Sequence, residues 1–169
     1  NPVDEDNSLE MFEMLIAKLK DEGFIHYEVS NFAKEGFISQ HNSSYWKSEK
    51  YMGLGPSAHS YDGEHRSWNV SSLPEYISGV NKNEPVFEIE VLDQTKIYNE
   101  YIITRLRTMW GVDLAELQTR FGMKLYDYFI KNAQKYINLN HLLIKNNTIT
   151  LTHAGIFISD GIVSDLMIV

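Results

Sequence analysis

A chain of 169 residues with 43% hydrophobic and 22% charged residues is long enough for one domain or one and a half, and its composition excludes a disordered polymer. It has no cysteine, which excludes disulfides, thiolate catalysis, Cys-type zinc sites and Cys-ligated iron–sulfur clusters within it. The net charge of −8 is uneven: residues 1–93 hold 7 Lys or Arg against 17 Asp or Glu, and residues 94–169 hold 8 against 6, so the first part argues against a nucleic-acid groove.

No apolar run reaches the length of a bilayer span, and the acidic start NPVDEDNSLE lacks signal-peptide character. A soluble, cytoplasmic protein is the default expectation. Asn7 or Ser8 can cap a first helix, whose face carries Leu9, Phe12, Ile16 and Leu19 and which Gly23 ends. Phe24 to Val29 alternates as a strand, with Ile25, Tyr27 and Val29 against His26 and Glu28. A helix and a strand joined by one glycine are what the last unit of an α/β barrel looks like. The chain therefore reads as starting inside a larger domain. Ser30 to Lys50 reads as a long irregular loop, Tyr51 to Leu54 as a short strand, Asp62-Gly63 as a hairpin turn and Arg66 to Val70 as the return strand. Leu73 to Val80 is a short helix with Tyr76, Ile77 and Val80 inward, and Val86 to Leu92 is extended.

From Asp93 the periodicity is helical. Tyr98, Tyr101, Ile102, Leu106 and Met109 share a face up to Gly111. Asp113 to Glu116 is a capping box for a helix that Gly122 ends, and a third helix carries Leu125, Phe129, Ala133, Tyr136 and Ile137. Leu142–Lys145 and Thr148–Thr152 flank Asn146-Asn147 as a hairpin, and a last helix from Thr152 buries Phe157, Ile158, Ile162 and Leu166. The fold class is α+β: final helix–strand units of a partial (β/α) barrel over residues 1–92, then a winged-helix-like helical domain over residues 93–169.

Two constellations stand out in the segment Tyr27–Asn69. His41-Asn42-x-x-Tyr45-Trp46 sets an imidazole beside aromatic surfaces. It suits a planar ligand such as a haem held by an axial histidine. The alternative is a loop in which His41 and Asn42 bond to backbone and Trp46 fills the core. Gly53-Leu54-Gly55-Pro56-Ser57-Ala58-His59-Ser60 lets backbone N–H groups approach a ligand, or makes a tight turn at a barrel rim; it is neither a Walker A loop nor a dinucleotide fingerprint. Of the six histidines, only His41 and His59 are singled out as site candidates. Arg105, Arg107, Lys124, Lys131 and Lys135 read as a solvated surface rather than a DNA face.

The ordered set Tyr27-Glu28-Val29-Ser30-Asn31-Phe32-Ala33, His41-Asn42-Ser43-Ser44-Tyr45-Trp46 and the Gly53–Ser60 run, with Arg66, Asn69, Ser159-Asp160-Gly161 and Ser164-Asp165-Leu166, resembles the C-terminal part of the HemW haem chaperones over essentially the whole chain. These belong to the radical-SAM group that includes the oxygen-independent coproporphyrinogen III oxidases. The resemblance implies a HemN-type C-terminal domain behind an N-terminal radical-SAM barrel with a [4Fe–4S] cluster and S-adenosylmethionine, and delivery of haem to haem-receiving proteins. It makes His41 the candidate iron ligand, with Asn42, Tyr45 and Trp46 around it and Gly53, Gly55, Ser57 and His59 as further binding candidates. It implies no catalytic residue and no nucleic-acid partner here. The chain departs from the family in lacking the cluster cysteines, so it is expected to be a piece of a longer protein, inactive alone. A true coproporphyrinogen oxidase and a winged-helix binding module are the alternatives.

Overall fold

The computed structural model describes residues 5–169, with side chains from Asn7 onward. Its first helix, α1 (Glu5–Asp21), is already helical at Glu5, so Asn7 and Ser8 lie inside it and do not cap it. β1 (Phe24–Glu28) and β2 (Asn31–Lys34) follow as an antiparallel hairpin. The predicted loop at 30–50 thus holds a strand, and it also holds the helix α2 (Gln40–Trp46). Ser39 caps α2 by accepting from the Asn42 N–H, and the Ser43 and Ser44 hydroxyls donate to the carbonyls of Ser39 and Gln40 at 2.7 and 3.0 Å. Serines that usually compete with helix backbone are here satisfied within it.

Glu28 is expected to point outward but is buried, because the Asn31 amide donates to its carboxylate. The buried Tyr27 accepts the Met109 N–H at 3.0 Å and Val29 donates to the Arg107 carbonyl at 2.9 Å, so the hairpin is stitched to the segment after α4 (Gln94–Leu106). His26 stacks on Phe32 with centroids 4.2 Å apart, which makes it a packing residue.

β3 (His59–Tyr61), β4 (His65–Asn69) and β5 (Phe87–Val91) form an antiparallel sheet in that order. Tyr51–Leu54 contributes only one bridge, Tyr51 to Tyr61. α3 (Leu73–Lys82) precedes β5, and the Ile77 and Val80 expected inside are half exposed. Gly79 is the residue that packs: a Cβ there would lie 2.2 Å from Val86 Cγ1.

The main core lies beyond residue 96. α4 gives it Tyr98, Tyr101, Ile102 and Leu106, while Met109 stays partly exposed. Asp113 accepts the Glu116 N–H at 2.8 Å and caps α5 (Leu114–Asn138). Gly122 breaks α5 with φ 79°, giving two helical halves where two helices are expected. β6 (Val112–Asp113), β8 (Thr148–Leu151) and β7 (Leu142–Lys145) form the wing sheet. The chain closes with α6 (His153–Ile156), capped by Thr152, and α7 (Ser159–Leu166). The single predicted last helix is split, and Ile158 at the break is exposed where burial is expected. The class is α+β with three helical segments and a wing, as the periodicity predicts.

Candidate functional site

His41 and Tyr45 sit one turn apart on α2, on its solvent side. Their rings meet edge to face at 5.0 Å, and the Tyr45 hydroxyl lies 3.2 Å from His41 Nε2. Tyr45 continues onto Tyr51 at 4.8 Å, and Tyr51 onto Tyr61 at 6.3 Å. This aromatic row ends at the Arg66–Glu100 ion pair, which ties β4 to α4. Tyr45, Tyr51, Tyr61 and the ion pair line a cavity of about 230 Å³. Burial pushes the Tyr51 phenol up, and the Arg66 charge partly offsets it. Trp46 is half-buried, and its neighbour Lys47 reaches over the Trp110 ring at 5.6 Å.

The Gly-rich segment is held by backbone packing. A Cβ on Gly53 would lie 2.1 Å from the His59 carbonyl oxygen, and Gly55 has φ 101°. Asn69 donates to the Gly55 carbonyl at 2.8 Å, Gly55 N–H donates to the Tyr76 hydroxyl at 3.2 Å, and Gly53 N–H donates to Ser60 Oγ at 3.0 Å. Ser57 has φ 57° and its N–H donates to Val70. The N–H groups of Gly53, Gly55 and Ser57 are therefore spent on the protein. His59 is exposed and leans on Trp68 at 6.2 Å, its cross-strand partner.

Register separates the two faces of the β3–β4–β5 sheet. His59 and Trp68 share a face with Glu88, and Tyr61 and Arg66 share it with Glu90; Ser60 and Ser67 share the other with Ile89. Glu90 is held ionised by the Lys96 ammonium at 2.7 Å. The second face is open. With the Gly-rich loop it lines a cavity of about 640 Å³, floored by Phe87, Ile89 and Val91 and bordered by Met52 and Leu54. His65 stands at its rim, with Nδ1 3.1 Å from Asp62 Oδ2. The Glu64 and His65 N–H groups, then the ring, hold the Asp62 carboxyl down at about 2.

Gly53 and Tyr51 are thus brought to the larger cavity, and Tyr45 to the smaller. Ser57 and His59 line neither, and His41 stands on the outer surface. The His65–Asp62 pair is missing from the sequence reading. Its signal is the Asp62-Gly63 turn with a histidine at the first strand position, opposite the alternating FEIEV.

The donor chemistry discriminates between the groups that the resemblance implies. A haem iron takes an imidazole nitrogen, and His41 presents an exposed one, reachable at Nε2 by displacing the Tyr45 hydroxyl or at Nδ1. An iron–sulfur cluster takes thiolates, and these residues do not fit it, since the chain has none. Among the described residues no group of three or more His, Cys, Asp or Glu side chains could hold a bare metal ion, and no helix is long and apolar enough to cross a membrane.

Residues 92–158 match the HemN C-terminal domain family. The haem chaperone HemW of Bacillus subtilis is 30% identical over 152 residues, covering 89% of this chain and 40% of that protein. HemW of Mycobacterium tuberculosis is 34% identical over 117 residues, covering 68% of this chain and 30% of that protein. The chain therefore spans well under half the length of these relatives. Among solved structures, the radical-SAM coproporphyrinogen III oxidase HemN of Escherichia coli superposes with a TM-score of 0.71 over 94% of this chain and 40% of that one, at 16% identity, a likeness of fold. Its sequence kinship runs to HemW and its shape to HemN, so the chain belongs to the HemW and HemN group of radical-SAM-related proteins and corresponds to their C-terminal part.

Proposed function

We propose that this chain is the haem-handling C-terminal region of a HemW-type chaperone, which binds haem and passes it to haem proteins. What carries the reading is the exposed, hydroxyl-buttressed His41 in a chain that aligns with HemW over 89% of its length. His41 is the iron ligand on α2, Tyr45 orients its ring, and Asn42 and Trp46 shape the surface around it. Gly53, Gly55, Ser57 and His59 act as a scaffold, since their backbone groups are engaged within the protein. Residues 1–92 form the end of a barrel and residues 93–169 the HemN-type domain that supports it. A [4Fe–4S] cluster and S-adenosylmethionine belong to a radical-SAM region outside these residues, and the whole works in the cytoplasm.

The test is a haemin titration read at the Soret band. His41→Ala removes a ligand-dependent Soret component, and Tyr45→Phe keeps it. An unchanged spectrum and affinity in His41→Ala would refute the ligand assignment. The fold of HemN favours a second reading, oxidative decarboxylation of coproporphyrinogen III by the full-length protein. Formation of protoporphyrinogen under anaerobic conditions would establish it over the first.

A further inference from the structure

We propose a second seat for haem on the open face of the β3–β4–β5 sheet, with His65 Nε2 as the iron ligand and the macrocycle lying over Ile89. The proposal rests on the haem-binding reading and adds a site distinct from His41.

Three observations converge on it. The cavity of about 640 Å³ lies within the range of roughly 300–1,000 Å³ typical of small-molecule sites. Its floor is apolar and solvent-facing: Phe87, Ile89 and Val91 share one face and are 47%, 59% and 68% exposed among the described residues. A flat, extended, hydrophobic molecule is the shape complement of a sheet face. At the rim, the Asp62 carboxylate accepts from His65 Nδ1–H, which fixes the tautomer and leaves the Nε2 lone pair for a metal. The pair is built by the turn, since Asp62 Oδ1 also accepts the Glu64 and His65 N–H groups at 2.9 and 2.7 Å. A peptide would use the apolar floor but has no need of a lone imidazole with a fixed tautomer. An iron macrocycle uses both.

Haemin and iron-free protoporphyrin IX separate the two contributions. Both are titrated into the chain and into His65→Ala, Ile89→Asp and His41→Ala, with far-UV circular dichroism confirming the fold of each. His65→Ala is expected to lose one iron-ligated Soret component and keep its affinity for protoporphyrin IX. Ile89→Asp is expected to weaken both ligands by about tenfold or more, and His41→Ala to leave this component intact. Asp62→Asn keeps the ring and lowers haemin affinity by about 10- to 100-fold, the usual scale for losing a ligand's carboxylate partner. If His65→Ala and Ile89→Asp bind haemin as the parent does, the seat is disproved while the haem-binding reading stands. If the parent chain binds no haemin, both fall.

Discussion

At the scale of single residues, the Gly-rich run is explained by contact distances. Gly53 has no room for a methyl group beneath the His59 carbonyl, and Asn69 ties the loop down. Gly53→Ala should destabilise the chain by about 1–3 kcal/mol, the cost of overpacking, seen as a lower urea midpoint. The sequence left close approach to a ligand and a tight turn equally open there, because glycine is needed for both. Similarly, the residues that mark the family, Glu28, Asn31, Arg66, Asn69 and Asp165, turn out to hold pieces of the fold together through Glu28–Asn31, Arg66–Glu100 and Asp165–Lys135. The motif is readable in one dimension, but what each member touches is not. His65 stands alone in sequence, and its significance comes from Asp62 and from strand register.

At the scale of elements, the capping box at Asp113 was legible, while the caps expected at Asn7 or Ser8 fall inside α1. Asp93 accepts the Lys96 N–H at 2.8 Å, and Asp113 accepts that of Glu116 at the same distance. Asp113→Ala should cost about 1 kcal/mol, measured by chemical denaturation, with the wing strand β6 affected because Asp113 ends it. Gly122 marked its break correctly for the physical reason that φ 79° suits glycine. α2 was illegible because its QHNSSYW sequence has mostly weak helix formers, and its one side-chain cap, Ser39, lies just before it. α1 was legible as a helix but not in its burial: Phe12 packs on His26 and Phe157, while Leu9, Met11, Met14 and Leu15 remain exposed. Periodicity gives the face of a helix, whereas its covering depends on neighbours.

At the scale of the whole molecule, the buried cluster drawn from α4, α5, the wing and α7 carries the stability. Amide hydrogen exchange should be slowest in α4, both halves of α5 and α7, and faster in α1, whose face is half exposed. α7 is closed onto α5 by Asp165, which accepts from Lys135 and from the Tyr136 hydroxyl at 2.6 Å. These bonds lower the Asp165 carboxyl below its usual value. Its contribution is therefore present above the ordinary carboxylate range of about 4 and is lost as pH falls through its lowered value. Asp165→Asn should flatten that acid limb of a stability-versus-pH curve while lowering stability near neutrality.

Tyr98 and Tyr101 stand at the centre of the cluster, their hydroxyls donating to the Leu166 and Asp113 carbonyls. Burial first of all, with the Glu116 charge adding to it at Tyr101, pushes both phenols well above the ordinary tyrosine range. Phenolate absorbs at longer wavelength than phenol, so an alkaline spectrophotometric titration of this chain should show these two rings in a late, high-pH component. These two rings ionise only as the core opens. The pair is thus a label-free optical gauge of global unfolding, set at the junction of α4, the wing and α7.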